Sequence, residues 1–387
     1  MSRIRIAGVI ALAATAISGV DARAGDPEDH SGQALEAAMA RLVQMRSGPP
    51  GVAAVVQRGG RREYHAAGVR NLRTRQRWRA KDHMRIASVS KAFSGAVALS
   101  LVERGKLRLS DTIADLLPEL PTAWAPVTLG QALHHTSGLP DYTQTKAFRD
   151  SLTENPRKHL TRRDVIDFVR SKPLDFTPGS RYEYSNTDNF VMAMMARAVR
   201  GRSYVTLLRS KVFRPLRLRR TTLPGGFRLP RPLAHGYVID PPDPAADISE
   251  AISASGAWAS GGLQSNPAEL NRFVRGYVGR KLFGRATQRR QFRFVKGSSD
   301  PPGPGRNSAG LGIFRYRTRC GTVYGHTGGF PGYTQFTAAT QDGHRSVTVS
   351  VNEQLAPDSP RRAIRAAFKA LRKVETLAVC AALAQRG

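Results

Sequence analysis

A serine and a lysine three residues apart, Ser88 and Lys91, open an apolar run that continues to Glu103. Val89, Phe93, Val97 and Leu101 recur at helical spacing, and Gly105 follows as a stop. The pattern predicts a buried central helix over 88–103, around which the rest of the chain has to pack. Ser88 and Lys91 then share one face of its first turn. A lysine on an otherwise apolar helix is costly to bury without a role. A serine hydroxyl is a poor nucleophile until a base removes its proton. Crowding by polar or cationic groups lowers a lysine pKa toward that task. The positive end of the helix dipole also favours a nucleophile at its N-terminus. Read alone, Ser88 is a helix cap.

Two polar triplets follow in order, Tyr184-Ser185-Asn186 and His326-Thr327-Gly328. Tyr184 offers a phenolic oxygen that can pass a proton to a leaving group, whereas Tyr182 reads as core packing. Asn186 can hydrogen-bond Lys91 and a substrate amide together, or sit in a plain turn. His326-Thr327-Gly328 reads as an edge strand that offers a substrate backbone hydrogen bonds and an imidazole. An unperturbed imidazole loses its charge near about pH 6.5, so His326 is a candidate switch. The glycines around it, Gly328 and Gly329 among them, allow close backbone approach. His134 and His135 read as structural.

Ser88-Val89-Ser90-Lys91, Tyr184-Ser185-Asn186 and His326-Thr327-Gly328 together resemble the SxxK, YxN and K/H-T-G motifs of the active-site serine penicillin-recognising family. Leu133-His134-His135-Thr136-Ser137-Gly138-Leu139-Pro140, Pro178-Gly179 and Pro331-Gly332-Tyr333 also match it. The resemblance spans roughly residues 35–380 and is nearest to secreted D-alanyl-D-alanine carboxypeptidases and class C β-lactamase-like hydrolases. It implies an α/β (α+β) fold: an antiparallel sheet built from both chain ends, covered by helices, beside a mostly helical subdomain. It assigns Ser88, Lys91 and Tyr184 to catalysis, and Asn186, His326, Thr327, Gly328 and Gly329 to substrate binding. The amides of Ser88 and Gly329 become the oxyanion hole. It also implies a bridge between Cys320 and Cys380; the alternative is two buried thiols. In related carboxypeptidases an arginine on the preceding strand and hydroxyls near the triplet grip the substrate carboxylate. Here Gly329 stands where a hydroxyl residue is usual, and Arg315 and Arg317 are the nearest arginines.

The first residues read as a secretory leader. Arg3 and Arg5 precede an apolar stretch over 6–20, too short to span a bilayer comfortably, and Ala22-Arg23-Ala24 is a cleavage pattern. A buried N-terminal helix is the other reading. The expected organisation is a signal peptide over 1–24 and one hydrolase domain over 25–387, with a helical insert roughly over 110–250. No further apolar run is long enough for a membrane anchor. The location expected is secreted or periplasmic, that is, extracytoplasmic.

The chain of 387 residues carries a formal net charge of +31. Such a surface seeks polyanions. For an exported protein, anionic cell-wall polymers fit better than nucleic acid. The densest stretch runs from Arg70 to Lys81, with Arg73, Arg75, Arg77 and Arg79 alternating. A solvated loop or strand face is the favoured reading of this stretch over a dedicated binding site. G-x-S-x-G, H-E-x-x-H, C-x-x-C and P-loop patterns are absent, so no metal or nucleotide cofactor is implied.

Val52–Gln57 and Glu63–Ala67, joined by Gly59-Gly60, read as a hairpin. Strands are expected over 322–324, 333–339 and 346–351, and a closing helix over 361–379. The reading is an exported serine hydrolase acting through an acyl-enzyme. Its expected activity is that of a D-alanyl-D-alanine carboxypeptidase on peptidoglycan stem peptides, with β-lactams as substrates or inhibitors. β-Lactamase, esterase and D-amino-acid peptidase activities share the same motifs. A non-catalytic binder of cell-wall polyanions is the alternative of another class.

Overall fold

The computed structural model describes residues 27–295 and 300–384. The expected leader over 1–24 lies outside them. Seven antiparallel strands form the main sheet: β1 Gly51–Arg58, β2 Arg61–Gly68, β3 Arg306–Gly310, β4 Ile313–Thr318, β5 Gly321–Phe330, β6 Tyr333–Ala339 and β7 Arg345–Val351. Their spatial order is β2-β1-β7-β6-β5-β4-β3. The N-terminal hairpin joins the C-terminal strands through β1 and β7, where Val52 lies opposite Val351 and Val56 opposite Val347. The sheet is therefore built from both chain ends. The hairpin register puts Arg58 opposite Arg61 around Gly59, which takes a φ of 53°.

Each face of the sheet buries its own cluster. On one face, α1 (Pro27–Gln44) and α2 (Arg362–Leu383) pack against Val52, Val56, Phe336 and Val349. The second helix carries Ile364, Leu371, Val374 and Ala378 on its buried side. A disulfide from Cys320, in the β4–β5 turn, to Cys380 ties it to the sheet. On the other face lies the central helix α3 (Ser90–Glu103). All its residues from Ser90 to Leu101 are buried, as expected of a helix apolar all round. Burying a side chain such as Phe93 stabilises by about 1.5–3 kcal/mol. Gly95 has no room for a side chain: an added Cβ would lie 2.6 Å from Tyr277 Oη and 3.0 Å from the Gly312 Cα.

Short helices dominate the stretch between α3 and the C-terminal strands. Two of them matter for the site, and both begin where the sequence supplies a cap. In α4 (Leu129–His134) Thr128 and Gln131 form a reciprocal capping box. In α5 (Asn186–Ala198) the Ser185 side chain accepts from the Thr187 amide. Strands β3 and β4 were not expected from the sequence. The Arg70–Lys81 segment is an exposed loop rather than an extended face, and its basic residues Arg73, Arg75, Arg77, Arg79 and Lys81 all point to solvent.

Two expectations about the motifs need correction. The apolar helix does not begin at Ser88. Ala87–Val89 form a separate 3-10 turn, and α3 starts at Ser90. Ala87 takes a φ of 51°, a left-handed conformation for a residue with a Cβ, so the chain turns sharply just ahead of Ser88. Nor is the strand of His326-Thr327-Gly328 an edge strand, because β5 lies between β6 and β4. However, β4 pairs with β5 only from Gly321 to Gly325. From His326 to Phe330 the ladder is made with β6 alone. An interior strand thus presents an unladdered edge where the triplet lies.

Candidate active site

Ser88 enters the site from the 3-10 turn, and Lys91 from the first turn of α3. Lys91 is 1% exposed, and its Nζ donates to Ser88 Oγ at 3.1 Å, Asn186 Oδ1 at 2.7 Å and the Ser260 carbonyl at 2.8 Å. Burial lowers its pKa to about 7, although Asp141 and Asp188 pull the other way. The amine is thus held by three acceptors and has a large neutral fraction at neutral pH.

Asn186 is oriented from its other end. Its Nδ2 donates to Asp141 Oδ2 at 2.8 Å and Thr143 Oγ1 at 3.2 Å. Both amide hydrogens are committed, which turns Oδ1 toward Lys91. Asn186 therefore orients the lysine, and no amide hydrogen remains for the substrate contact expected of it. Asp141 and Ser260 were not singled out in the sequence. Asp141 directly follows the Leu139-Pro140 pair, and its link to Asn186 bridges 45 residues.

Tyr184 lies beside both Lys91 and Ser88. The Lys91 Nζ sits 4.9 Å from the centre of the phenol ring. The hydroxyl is buried without a hydrogen-bond partner among the described residues. Burial pushes its pKa well above the ordinary phenol value, and the neighbouring Ser88 hydroxyl offsets only part of that. The phenol keeps its proton.

His135, which read as structural, packs its ring 4.5 Å from that of Tyr184. It ends α4 with a φ of 56°, and its Nδ1 lies 2.7 Å from Asp188 Oδ2. Ser137 donates to the other oxygen of Asp188. Burial drops His135 to about 3 and raises Asp188 well above the usual carboxylate value, so both members of the pair beneath Tyr184 are pushed away from their charged forms.

His326 is 1% exposed, and its ring packs edge-on against Phe314 at 5.0 Å. Its Nδ1 lies 2.5 Å from the Thr327 carbonyl. Burial first, and Lys91 second, lower its pKa to about 3. It is neutral at physiological pH, so the switch near pH 6.5 expected from the sequence is corrected. Gly328 permits the closest approach at the site. A Cβ there would meet Ile86 O at 2.7 Å, and Ala87 Cβ and the Ser88 amide nitrogen at 3.0 Å. At Gly329 the nearest atom would be Gln354 Nε2 at 3.5 Å, an ordinary contact.

Ser88, Tyr184, Thr327, Gly328 and Gly329 line one small cleft of about 170 Å³. Larger hollows elsewhere contain none of the motif residues. Arg315 and Arg317 do not line the cleft. Arg315 instead stacks on Phe294 at 4.3 Å.

The sheet between two helical layers and the buried Ser-Lys-Tyr cluster define a serine hydrolase of the penicillin-recognising class. The chain belongs to the Beta-lactamase family, whose model matches residues 33–372. It is similar to penicillin-binding protein 4* of Bacillus subtilis, at 24% identity over 79% of this chain and 68% of that protein. It is also similar to the D-alanyl-D-alanine-carboxypeptidase/endopeptidase AmpH of Escherichia coli, at 26% identity over 76% of each. Among solved structures, a D-stereospecific amidohydrolase from a Streptomyces species superposes with a TM-score of 0.74 at 29% identity. That match covers 87% of this chain and 98% of the other. Among the described residues no helix is long and apolar enough to cross a membrane.

Proposed function

We propose that the protein is an exported D-alanyl-D-alanine carboxypeptidase acting through an acyl-enzyme on Ser88. The observation that carries this reading is the Lys91 amine, lowered to about 7 by burial and 3.1 Å from the Ser88 hydroxyl. Neutral Lys91 takes the Ser88 proton as Oγ bonds to the substrate carbonyl carbon. The amides of Ser88 and Gly329 receive the developing oxyanion. The C–N bond then breaks. Tyr184, still protonated, gives its proton to the leaving nitrogen and recovers one from Lys91. D-alanine leaves, and water then attacks the ester carbonyl while Lys91 takes its proton; as the C–O bond breaks Ser88 Oγ recovers a proton from Lys91, and the shortened peptide leaves. Thr327 and Gly328 offer the free edge of β5 to an extended peptide, and His326 supports that strand as a neutral group.

A second reading, hydrolysis of D-amino-acid amides, is favoured by the similarity to the Streptomyces amidohydrolase. The partners of the first reading are peptidoglycan stem peptides and β-lactams. The +31 charge would add salt-sensitive attraction to anionic cell-wall polymers.

The test follows D-alanine release from a peptide ending in D-Ala–D-Ala, beside hydrolysis of penicillin, a neutral ester and a D-amino-acid amide. Mass spectrometry with a β-lactam should find one covalent adduct, lost in Ser88→Ala. An adduct that persists in this variant would remove Ser88 from the mechanism. An intact protein that neither turns over nor acylates would instead be a binder of cell-wall polyanions.

A further inference from the structure

We propose that His135 and Asp188 are positioning residues for Tyr184, joined by a hydrogen bond in which the Asp188 carboxyl is the donor. The proposal rests on the acyl-enzyme reading of Ser88, in which Tyr184 passes a proton to the leaving nitrogen.

Tyr184 has little of its own to fix it. Its hydroxyl has no hydrogen-bond partner among the described residues, and its ring meets Lys91 Nζ at 4.9 Å and the His135 ring at 4.5 Å. His135 also holds the chain on both sides of the phenol. Its carbonyl accepts from the Glu183 amide at 2.9 Å, and its Nδ1 accepts from the Ser185 amide at 3.4 Å. One residue therefore brackets Tyr184 with its backbone, a ring nitrogen and its ring. It does so from a left-handed φ of 56° at the end of α4. That conformation is costly for a residue with a Cβ and persists only where the surroundings impose it.

The directions of the hydrogen bonds fix the proton. In a neutral imidazole one nitrogen donates and the other accepts. The Ser185 N–H faces Nδ1, so a lone pair stands there. Asp188 Oδ2 lies 2.7 Å from the same nitrogen. Two lone pairs at that distance would repel, so Oδ2 carries the proton and donates it to the bond. The other oxygen, Oδ1, accepts from the Ser137 hydroxyl, whose Oγ in turn accepts from the Leu139 amide at 2.9 Å. Each donor from Leu139 to Ser185 then meets an acceptor without any formal charge. An ion pair would instead set a proton on Nδ1 against the Ser185 donor.

Burial favours the same arrangement, since His135 is 4% and Asp188 0% exposed. The ionisable groups facing the pair are Lys91, Asp141 and Asp300, with the imidazoles of His134 and His326 beyond. The Tyr182 ring stands edge-on to His135 at 6.2 Å. With Asp188 uncharged, Asp141 is left as the acidic neighbour of Lys91.

The experiment reads the proton and its kinetic consequence separately. In protein labelled with 15N-histidine, the His135 signals are those lost in His135→Gln. At neutral pH they should show a proton on Nε2 and an unprotonated, hydrogen-bonded Nδ1. A proton on Nδ1 overturns the inference. Asp188→Asn keeps the bonding pattern, because its amide nitrogen donates to Nδ1 and its oxygen accepts from Ser137, whereas Asp188→Ala keeps neither bond. Both are compared on a peptide ending in D-Ala–D-Ala, whose leaving nitrogen needs the Tyr184 proton, and on a nitrophenyl ester, whose leaving group does not. Asp188→Ala should lose about 10²-fold in kcat/KM on the peptide and less than about tenfold on the ester. Asp188→Asn should restore the peptide rate to within about threefold of wild type. Its ester profile should keep the wild-type rising limb, because no charge near Lys91 has been removed.

Equal losses on the two substrates in Asp188→Ala would mean a general packing defect and would sink the positioning role. An Asp188→Asn variant as slow as Asp188→Ala, or a limb moved to lower pH, would mean a charged carboxylate and overturn the inference as well. Should Asp188→Ala fail to fold, the asparagine variant and the His135 signals still decide. If the wild type forms no acyl-enzyme on Ser88, the reading of the nucleophile fails and the positioning role with it, while the His135 signals report the hydrogen bond independently.

Discussion

Lys91 Nζ donates to Asn186 Oδ1 at 2.7 Å, closer than its 3.1 Å approach to Ser88 Oγ. The lysine is thus positioned by a residue from another helix, which is itself turned by Asp141 and Thr143. The consequence is an amine whose proton affinity depends on its neighbours.

The pH dependence has a definite sign. Only the neutral amine can accept the Ser88 proton, and its pKa lies at about 7. For a neutral ester, kcat/KM should therefore rise with pH and level off above that value. Asn186→Asp places an anion against the ammonium and favours its protonated form. The rising limb should then move to higher pH by about 1 unit or more, measured over pH 5 to 10. A limb that stayed in place would mean that Lys91 is not the titrating base.

Gly328 and Gly329 are neighbours with opposite tolerances. Gly328→Ala puts a Cβ 2.7 Å from Ile86 O and 3.0 Å from the Ser88 nitrogen, both backbone atoms. The strand and the Ser88 turn have to separate. Misplacement of this kind costs about 10²-fold in acylation rate. Gly329→Ala meets only Gln354, at 3.5 Å, and should stay within a few-fold of wild type. Burst kinetics with a chromogenic ester would compare the two, and equal effects would refute the close-approach argument.

His326 should leave no falling limb near neutral pH, because its pKa is held at about 3. The cation expected at this position from the third motif is instead a destabilising change here. His326→Lys buries an ammonium near Lys91, with Phe314 against it. It should lower stability by roughly 3 kcal/mol or more, as uncompensated buried charge does. Thermal melting would read this directly. A variant as stable as wild type would show that the pocket can open to water.

The disulfide joins residues 60 apart. Loop-closure entropy for such a span amounts to about 4 kcal/mol at most, and measured gains are usually smaller. Cys320→Ser/Cys380→Ser should therefore unfold at lower denaturant concentration, by about 2–4 kcal/mol. Urea titration would measure the effect.

The sequence by itself determined the elements whose signals are local. Apolar spacing announced α3 and the last helix, and Gly59-Gly60 announced the N-terminal hairpin. The order of the three motifs led to the residues lining one cleft, because each motif carries its chemistry within four residues. Only the tertiary structure decided the rest. In the run from Arg306 to Thr318 the one local strand signal is Phe314 and Tyr316 alternating with Arg315 and Arg317; β3 carries none, since its stability comes from pairing with β4. His326 is chemically an ordinary imidazole, and it is burial against Phe314 and Lys91 that removes its charge. Asp141 and Ser260 carry no motif at all. They reach the site from separate segments of the chain, and their distances to it are set by packing rather than by spacing along the sequence.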